Sequence, residues 1–113
     1  MKLEEIAIFT DKVKETASFY LNLGGKAGYQ NDGMAIIQFE NVKILIHATY
    51  EPGEGDLPCE NHIAFGSADV DLEAQRLTKS GTAMLYEPKD YDWGRSAYLR
   101  DPNGMLVELA EVG

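Results

Sequence analysis

The same order of elements is written twice in this chain, and that repeat limits its fold more than any other feature does. Glu5-Ile6-Ala7-Ile8-Phe9 lies over His62-Ile63-Ala64-Phe65-Gly66, an offset of 57 (62 minus 5). Lys43-Ile44-Leu45-Ile46-His47 lies over Gly104-Met105-Leu106-Val107-Glu108, an offset of 61 (104 minus 43). Between the members of each pair the punctuation also recurs. Thr10 or Asp11 offers a helix cap, Val13, Ala17 and Tyr20 follow at helical spacing, and Gly24-Gly25 stops the helix near Leu23. In the second half Ser67 to Asp71 supplies the cap, Val70, Ala74 and Leu77 form the stripe, and Ser80-Gly81 ends it.

Strands fill the rest. The first half reads as Leu3–Phe9, Lys26–Asn31, Met34–Glu40 and Val42–Ala48, with Asp32-Gly33 as a hairpin signal. The second reads as His62–Gly66, Met84–Glu87, Arg95–Arg100 and Met105–Leu109. Asp101-Pro102-Asn103-Gly104 closes the last hairpin, because proline presets φ and Asn-Gly tolerates φ > 0. The expected fold is therefore α+β: two βαβββ modules forming curled mixed sheets around a cleft. Module 1 covers about residues 1–49 and module 2 about 62–113, within a single domain spanning 1–113. Residues 50–61, rich in Glu, Pro and Gly, lack periodicity and read as a linker.

At 113 residues the chain is long enough for one core. Its formal charge of −9, spread over both halves, argues against nucleic acid or an anionic membrane as partner. A small molecule is the expected ligand, and the acidic surface also suits a cationic one. No apolar run approaches the ~20 residues of a membrane span, and the N-terminus lacks a signal-peptide layout, so the cytoplasm is the default location. Cys59 stands alone, which rules out an internal disulfide.

One residue in the last strand needs explaining. Glu108 is a carboxylate in an otherwise apolar run, costly unless solvated, paired or bound to metal. Period-2 alternation sets Glu5 beside Ala7 on one face and His62 beside Ala64 on its counterpart, with a small residue leaving room next to each.

Trp93-Gly94, Tyr98, Asp101-Pro102-Asn103-Gly104 and Glu108-Leu109, with Glu5 to Phe9, Phe19-Tyr20 and His62 to Phe65, resemble the vicinal oxygen chelate superfamily. This group includes glyoxalase I, bleomycin-resistance protein and extradiol dioxygenase, and the likeness covers essentially the whole chain. It implies ligands from the first and last strands of each module, here Glu5, His47, His62 and Glu108. Two imidazoles and two carboxylates suit one divalent ion: Zn, Ni, Co, Mn or Fe(II).

The implied activity is glyoxalase-like lyase or isomerase chemistry on a small oxygenated carbonyl compound, through a metal-stabilised enediolate. Glu108 or Glu5 would move the proton. Lactoylglutathione lyase is one candidate reaction among several. The alternative is a metal-free binding protein of the bleomycin-resistance type, in which Glu5 and His47 are incidental. Dioxygenase chemistry fits less well, because extradiol members resemble a two-His-one-carboxylate iron site and tend to be larger. The resemblance also implies a homodimer.

Arg95, Trp93 and Tyr98 are the expected substrate-binding residues. Arg95 would clamp an anionic group, Trp93 would either stack on a ligand or, the favoured reading, plug its module with one ring face exposed, and Tyr98 would donate a hydrogen bond. Phe19 and Tyr20 read as core, and Arg95 and Arg100 also have a bland reading as surface ion pairs.

Overall fold

A computed structural model describes all 113 residues as eight strands and two helices. The strands are β1 (Lys2–Phe9), β2 (Lys26–Gln30), β3 (Met34–Gln38), β4 (Lys43–His47), β5 (His62–Ser67), β6 (Tyr86–Tyr91), β7 (Gly94–Arg100) and β8 (Leu106–Glu111). Helix α1 spans Val13–Asn22 and α2 spans Val70–Lys79, so the order βαβββ occurs twice, as the repeat requires. Neither helix is long and apolar enough to cross a membrane. The chain forms two compact units, Glu5–Asn61 and His62–Gly113, and the first four residues cluster with the latter.

In the first unit the strands run β2-β3-β4-β1, with β1 parallel to β4 and the other pairs antiparallel. Ile6 and Ile8 of β1, Ile44 and Ile46 of β4, and Ala35 and Ile37 of β3 share the face that receives Val13 and Ala17 of α1. Burying that aliphatic set at about 25 cal/mol per Å² is the main force behind the unit. Alternation then puts Glu5, Ala7 and Phe9, with Lys43, Leu45 and His47, on the face away from the helix. Helix α1 starts at Val13 with no side-chain cap; Thr10 Oγ1 instead accepts the Lys12 N–H at 3.0 Å. Phe19 is 59% exposed, so it is not core; only Tyr20 of that pair packs inward.

Residues 50–61 contain no helix or strand and fold on themselves. The Tyr50 hydroxyl donates to the Leu57 carbonyl at 2.8 Å, and the Gly53 N–H donates to Asp56 Oδ2 at 2.8 Å.

The second unit repeats the plan as β5-β8-β7-β6, with β5 parallel to β8. Phe65, Ala97, Leu99 and Leu109 face Val70 and Leu77 of α2. Here α2 is capped by Asp69, whose carboxylate accepts the Leu72 N–H at 3.0 Å. The closing hairpin forms at 101–104, with Gly104 at φ +86°. Asp101 Oδ1 accepts from Asn103 N and Met105 N, at 2.8 and 2.9 Å, which fixes the turn. Strand β6 differs from the expectation of Met84–Glu87: it begins at Tyr86 and continues through Pro88 to Tyr91. It is the outer strand of its unit and slips register between Tyr86 and Lys89, where a proline costs no ladder bond.

Candidate functional site

Alternation in β5, β7 and β8 assigns His62, Ala64, Ser96, Tyr98 and Glu108 to the sheet face opposite α2. Glu108 stands opposite Ala64 on one side and Tyr98 on the other, so it occupies the middle of a row. It is 6% exposed, yet its carboxylate is fully engaged. His62 Nε2 lies 3.2 Å from Oε1, and the Ser96 hydroxyl donates to Oε2 at 2.7 Å. Burial pushes the Glu108 pKa up, but hydrogen bonds from His62 and Ser96, the His62 charge and a hydrogen bond from Tyr98 outweigh it and hold the carboxyl below its ordinary value. Glu108 is ionised at neutral pH, which makes His62 Nε2 the donor in that contact.

Aromatic rings wall the same face. Tyr98, 2% exposed, meets His62, Tyr86 and Tyr91 edge-on at centroid distances of 6.1, 6.1 and 6.0 Å. Tyr91 stacks on Trp93 at 4.6 Å with the planes 5° apart. Trp93 lies in the β6–β7 turn, 61% exposed, and its Nε1–H donates to Ser96 Oγ at 3.3 Å.

Arg95 does not join this face. It is one residue from Ser96 in a regular strand, so its side chain leaves on the α2 side. There it makes a bidentate pair with Asp71 at 2.8 and 2.9 Å and reaches Asp90 at 3.0 Å. Its hydrogen bond lowers the Asp71 pKa. The expected anion clamp is therefore corrected to a tie between α2, β6 and β7.

In the first unit Glu5 stands opposite Lys43, whose ammonium lies 3.5 Å from Glu5 Oε2. His47 is four residues further along β4, about 13 Å away at ~3.3 Å per residue. Side chains standing off one sheet face do not close that gap, and ligands of one ion with ~2.1 Å bonds lie about 3–4 Å apart. Glu5 and His47 cannot share an ion, so the four expected residues do not form one ligand set. The pairing supplies the cause. If Glu5 matches His62, then Lys43 matches Leu106 and Leu45 matches Glu108, an offset of 63 (108 minus 45) rather than 61. His47 is otherwise accounted for. Its Nδ1 donates to the Ala48 carbonyl at 2.7 Å, and its ring packs on Phe9 and Tyr50 at 5.4 and 6.2 Å.

His62 and Glu108 do fit a divalent ion. Two ligand atoms about 2.1 Å from one ion, at angles between octahedral and tetrahedral, lie about 3.0–3.4 Å apart; the observed separation is 3.2 Å. The proton now shared there is the one an ion would displace.

The sequence pattern of the Glyoxalase/Bleomycin resistance protein/Dioxygenase superfamily matches residues 2–109. The chain belongs to this superfamily. Among solved structures it is similar to a hypothetical protein, BH1468, from Bacillus halodurans, at 25% identity and TM-score 0.77, covering 99% of this chain and 94% of that one. It also has the fold of methylmalonyl-CoA epimerase from Mycobacterium tuberculosis, at 20% identity and TM-score 0.75, covering 99% and 88%. A third is a point variant of Streptomyces coelicolor methylmalonyl-CoA epimerase in complex with 2-nitronate-propionyl-CoA, at 24% identity and TM-score 0.69, covering 100% and 95%. No curated protein matches the chain.

Sequence reasoning overlooked Ser96 as a site residue, although it sits two positions from Tyr98 and so on the same face. Alternation alone was the signal that could have found it.

Proposed function

We propose that this superfamily member is a glyoxalase-type isomerase or lyase that moves a proton at the carbon beside a carbonyl, with a divalent ion held by His62 and Glu108. The observation that carries the reading is the buried, ionised Glu108 with His62 Nε2 3.2 Å away. When bound, such an ion would polarise the substrate oxygen and stabilise the negative charge that develops on it. Glu108 accepts three donors and is held below its ordinary pKa, which suits a ligand and makes it a weak base. Proton transfer is therefore assigned to Glu5, which holds on β1 the repeat position that His62 holds on β5.

Ala64 and Ala110, on the Glu108 face, leave space beside the carboxylate for a substrate. Small oxygenated carbonyl compounds are the proposed substrates. Since two similar structures are methylmalonyl-CoA epimerases, coenzyme A thioesters join them as a class to be tried. The chain is also proposed to act in the cytoplasm as a homodimer, the latter checked by sedimentation.

The test is exchange of substrate α-protons with D₂O, followed by NMR, on protein loaded in turn with Zn, Ni, Co, Mn and Fe(II). Exchange by the wild type, lost in Glu5→Gln, is the expected result. Absence of exchange across the ions and both substrate classes would remove the proposal.

A second reading, metal-free binding of a small molecule, is favoured by Leu45, which puts an alkyl group at the first-module counterpart of Glu108. Stoichiometric ligand binding that survives chelation would select it.

A further inference from the structure

We infer that Ser96 is a positioning residue for Glu108, and that Trp93 sets the direction of the Ser96 hydroxyl. The inference rests on the proposed role of Glu108 and extends it outward by two side chains.

Ser96 is fully buried, and a hydroxyl has one proton to give. That proton goes to Glu108 Oε2 at 2.7 Å, in the range of a charge-assisted bond. The Trp93 Nε1–H occupies a lone pair of the same oxygen at 3.3 Å, which turns the hydroxyl proton away from the indole and toward the carboxylate. With Oε2 fixed from one side, Oε1 is presented to His62 Nε2. A carboxylate torsion is otherwise broad and roughly two-fold, so one fixed oxygen decides where the other points. The direction of Glu108 therefore traces to an indole that is itself mostly exposed and stacked on Tyr91.

The sequence pattern alone holds no such chain, because Trp93 lies in a turn and Ser96 in a strand. Only the turn at Trp93-Gly94, with Gly94 at φ +130°, folds the indole back over Ser96.

The test compares wild type with Ser96→Ala, Ser96→Thr and Trp93→Phe. Alanine removes the donor without adding volume, and circular dichroism checks that each variant folds. The first readout is affinity for Ni(II) by calorimetry. Losing an outer hydrogen bond to a ligand costs about 10–100-fold in metal affinity, so Ser96→Ala should fall in that range. Trp93→Phe should lose a few-fold, and Ser96→Thr should be close to wild type. The second readout needs no metal: the ¹⁵N resonance of His62 Nε2 in metal-free protein, assignable because the chain has only two histidines. It should shift in Ser96→Ala and stay in place in Ser96→Thr. If the wild type binds no ion, the proposed metal role fails, and the ¹⁵N resonance alone decides the positioning role. An unmoved His62 resonance in folded Ser96→Ala, with or without metal binding, overturns the inference.

Discussion

Leu45 stands opposite Ala7 just as Glu108 stands opposite Ala64, so the two residues are register counterparts in the two modules. One is an alkane and the other an ionised carboxylate. The chemistry of this chain is thus weighted toward the second module, and the first offers Glu5 without a carboxylate or imidazole in the matching β4 position.

This asymmetry makes a prediction about His47. Its Nδ1 is bonded to Ala48, its ring packs on Phe9 and Tyr50, and it lies too far along β4 to share an ion with Glu5. His47→Ala should leave Ni(II) affinity unchanged within about twofold, a difference below ~0.5 kcal/mol. Calorimetry on the two proteins decides it, and a tenfold loss would return His47 to the ligand set.

Glu108→Gln should keep the fold and lose activity. The amide has nearly the same shape but cannot accept all of its donors, so a stability loss of about 1 kcal/mol is expected by urea denaturation. Turnover should fall about 100-fold or more, the scale of losing an acid–base or ligand group. Glu108→Ala should cost more, because buried His62 and Ser96 would then lose their acceptor.

The same carboxylate sets a pH dependence. Its folded pKa lies below the ordinary value of 4.5, so ionisation favours the folded state. That stabilisation is complete above about 4.5 and is lost as pH falls below it through the depressed pKa. The stability difference between wild type and Glu108→Gln should therefore narrow progressively as pH falls below ~4.5. Urea melts of both proteins at a series of acid pH values would show it; a gap that widened in acid would contradict the assignment. Asp71 shifts in the same direction, but it is present in both proteins and cancels.

Arg95→Ala separates structure from site. The side chain ties Asp71 and Asp90 on the α2 side of the sheet, away from Glu108. Only a small loss of stability is expected by urea denaturation, since the pairs are exposed to solvent and screened. Metal affinity and turnover should stay within twofold of wild type, checked by calorimetry and the exchange assay.

The repeat made the βαβββ order and most strand positions legible in the sequence, because aliphatic alternation and turn residues are local signals. What it left unread has identifiable causes. Matching Lys43–His47 to Gly104–Glu108 preserves apolar alternation, but so does a match two residues away, since a period of 2 is blind to a shift of 2. Only the pairing of Glu5 with Lys43 and of Ala64 with Glu108 reveals that slip. Arg95 drew attention through its neighbour Trp93, yet alternation sends the two adjacent residues Arg95 and Ser96 to opposite faces. Pro88 concealed β6, because its tolerance depends on the strand lying at the outside of its unit. Glu108 itself was legible: a lone carboxylate in an apolar strand has few solutions, and burial with three donors is one of them.

The most direct test of the central role of His62 and Glu108 is elemental analysis of the purified chain after reconstitution, on wild type, His62→Ala and His47→Ala in parallel. One divalent ion per chain in wild type and His47→Ala, with none in His62→Ala, is the predicted result. No ion in the wild type, or an ion lost with His47 and kept without His62, would contradict it.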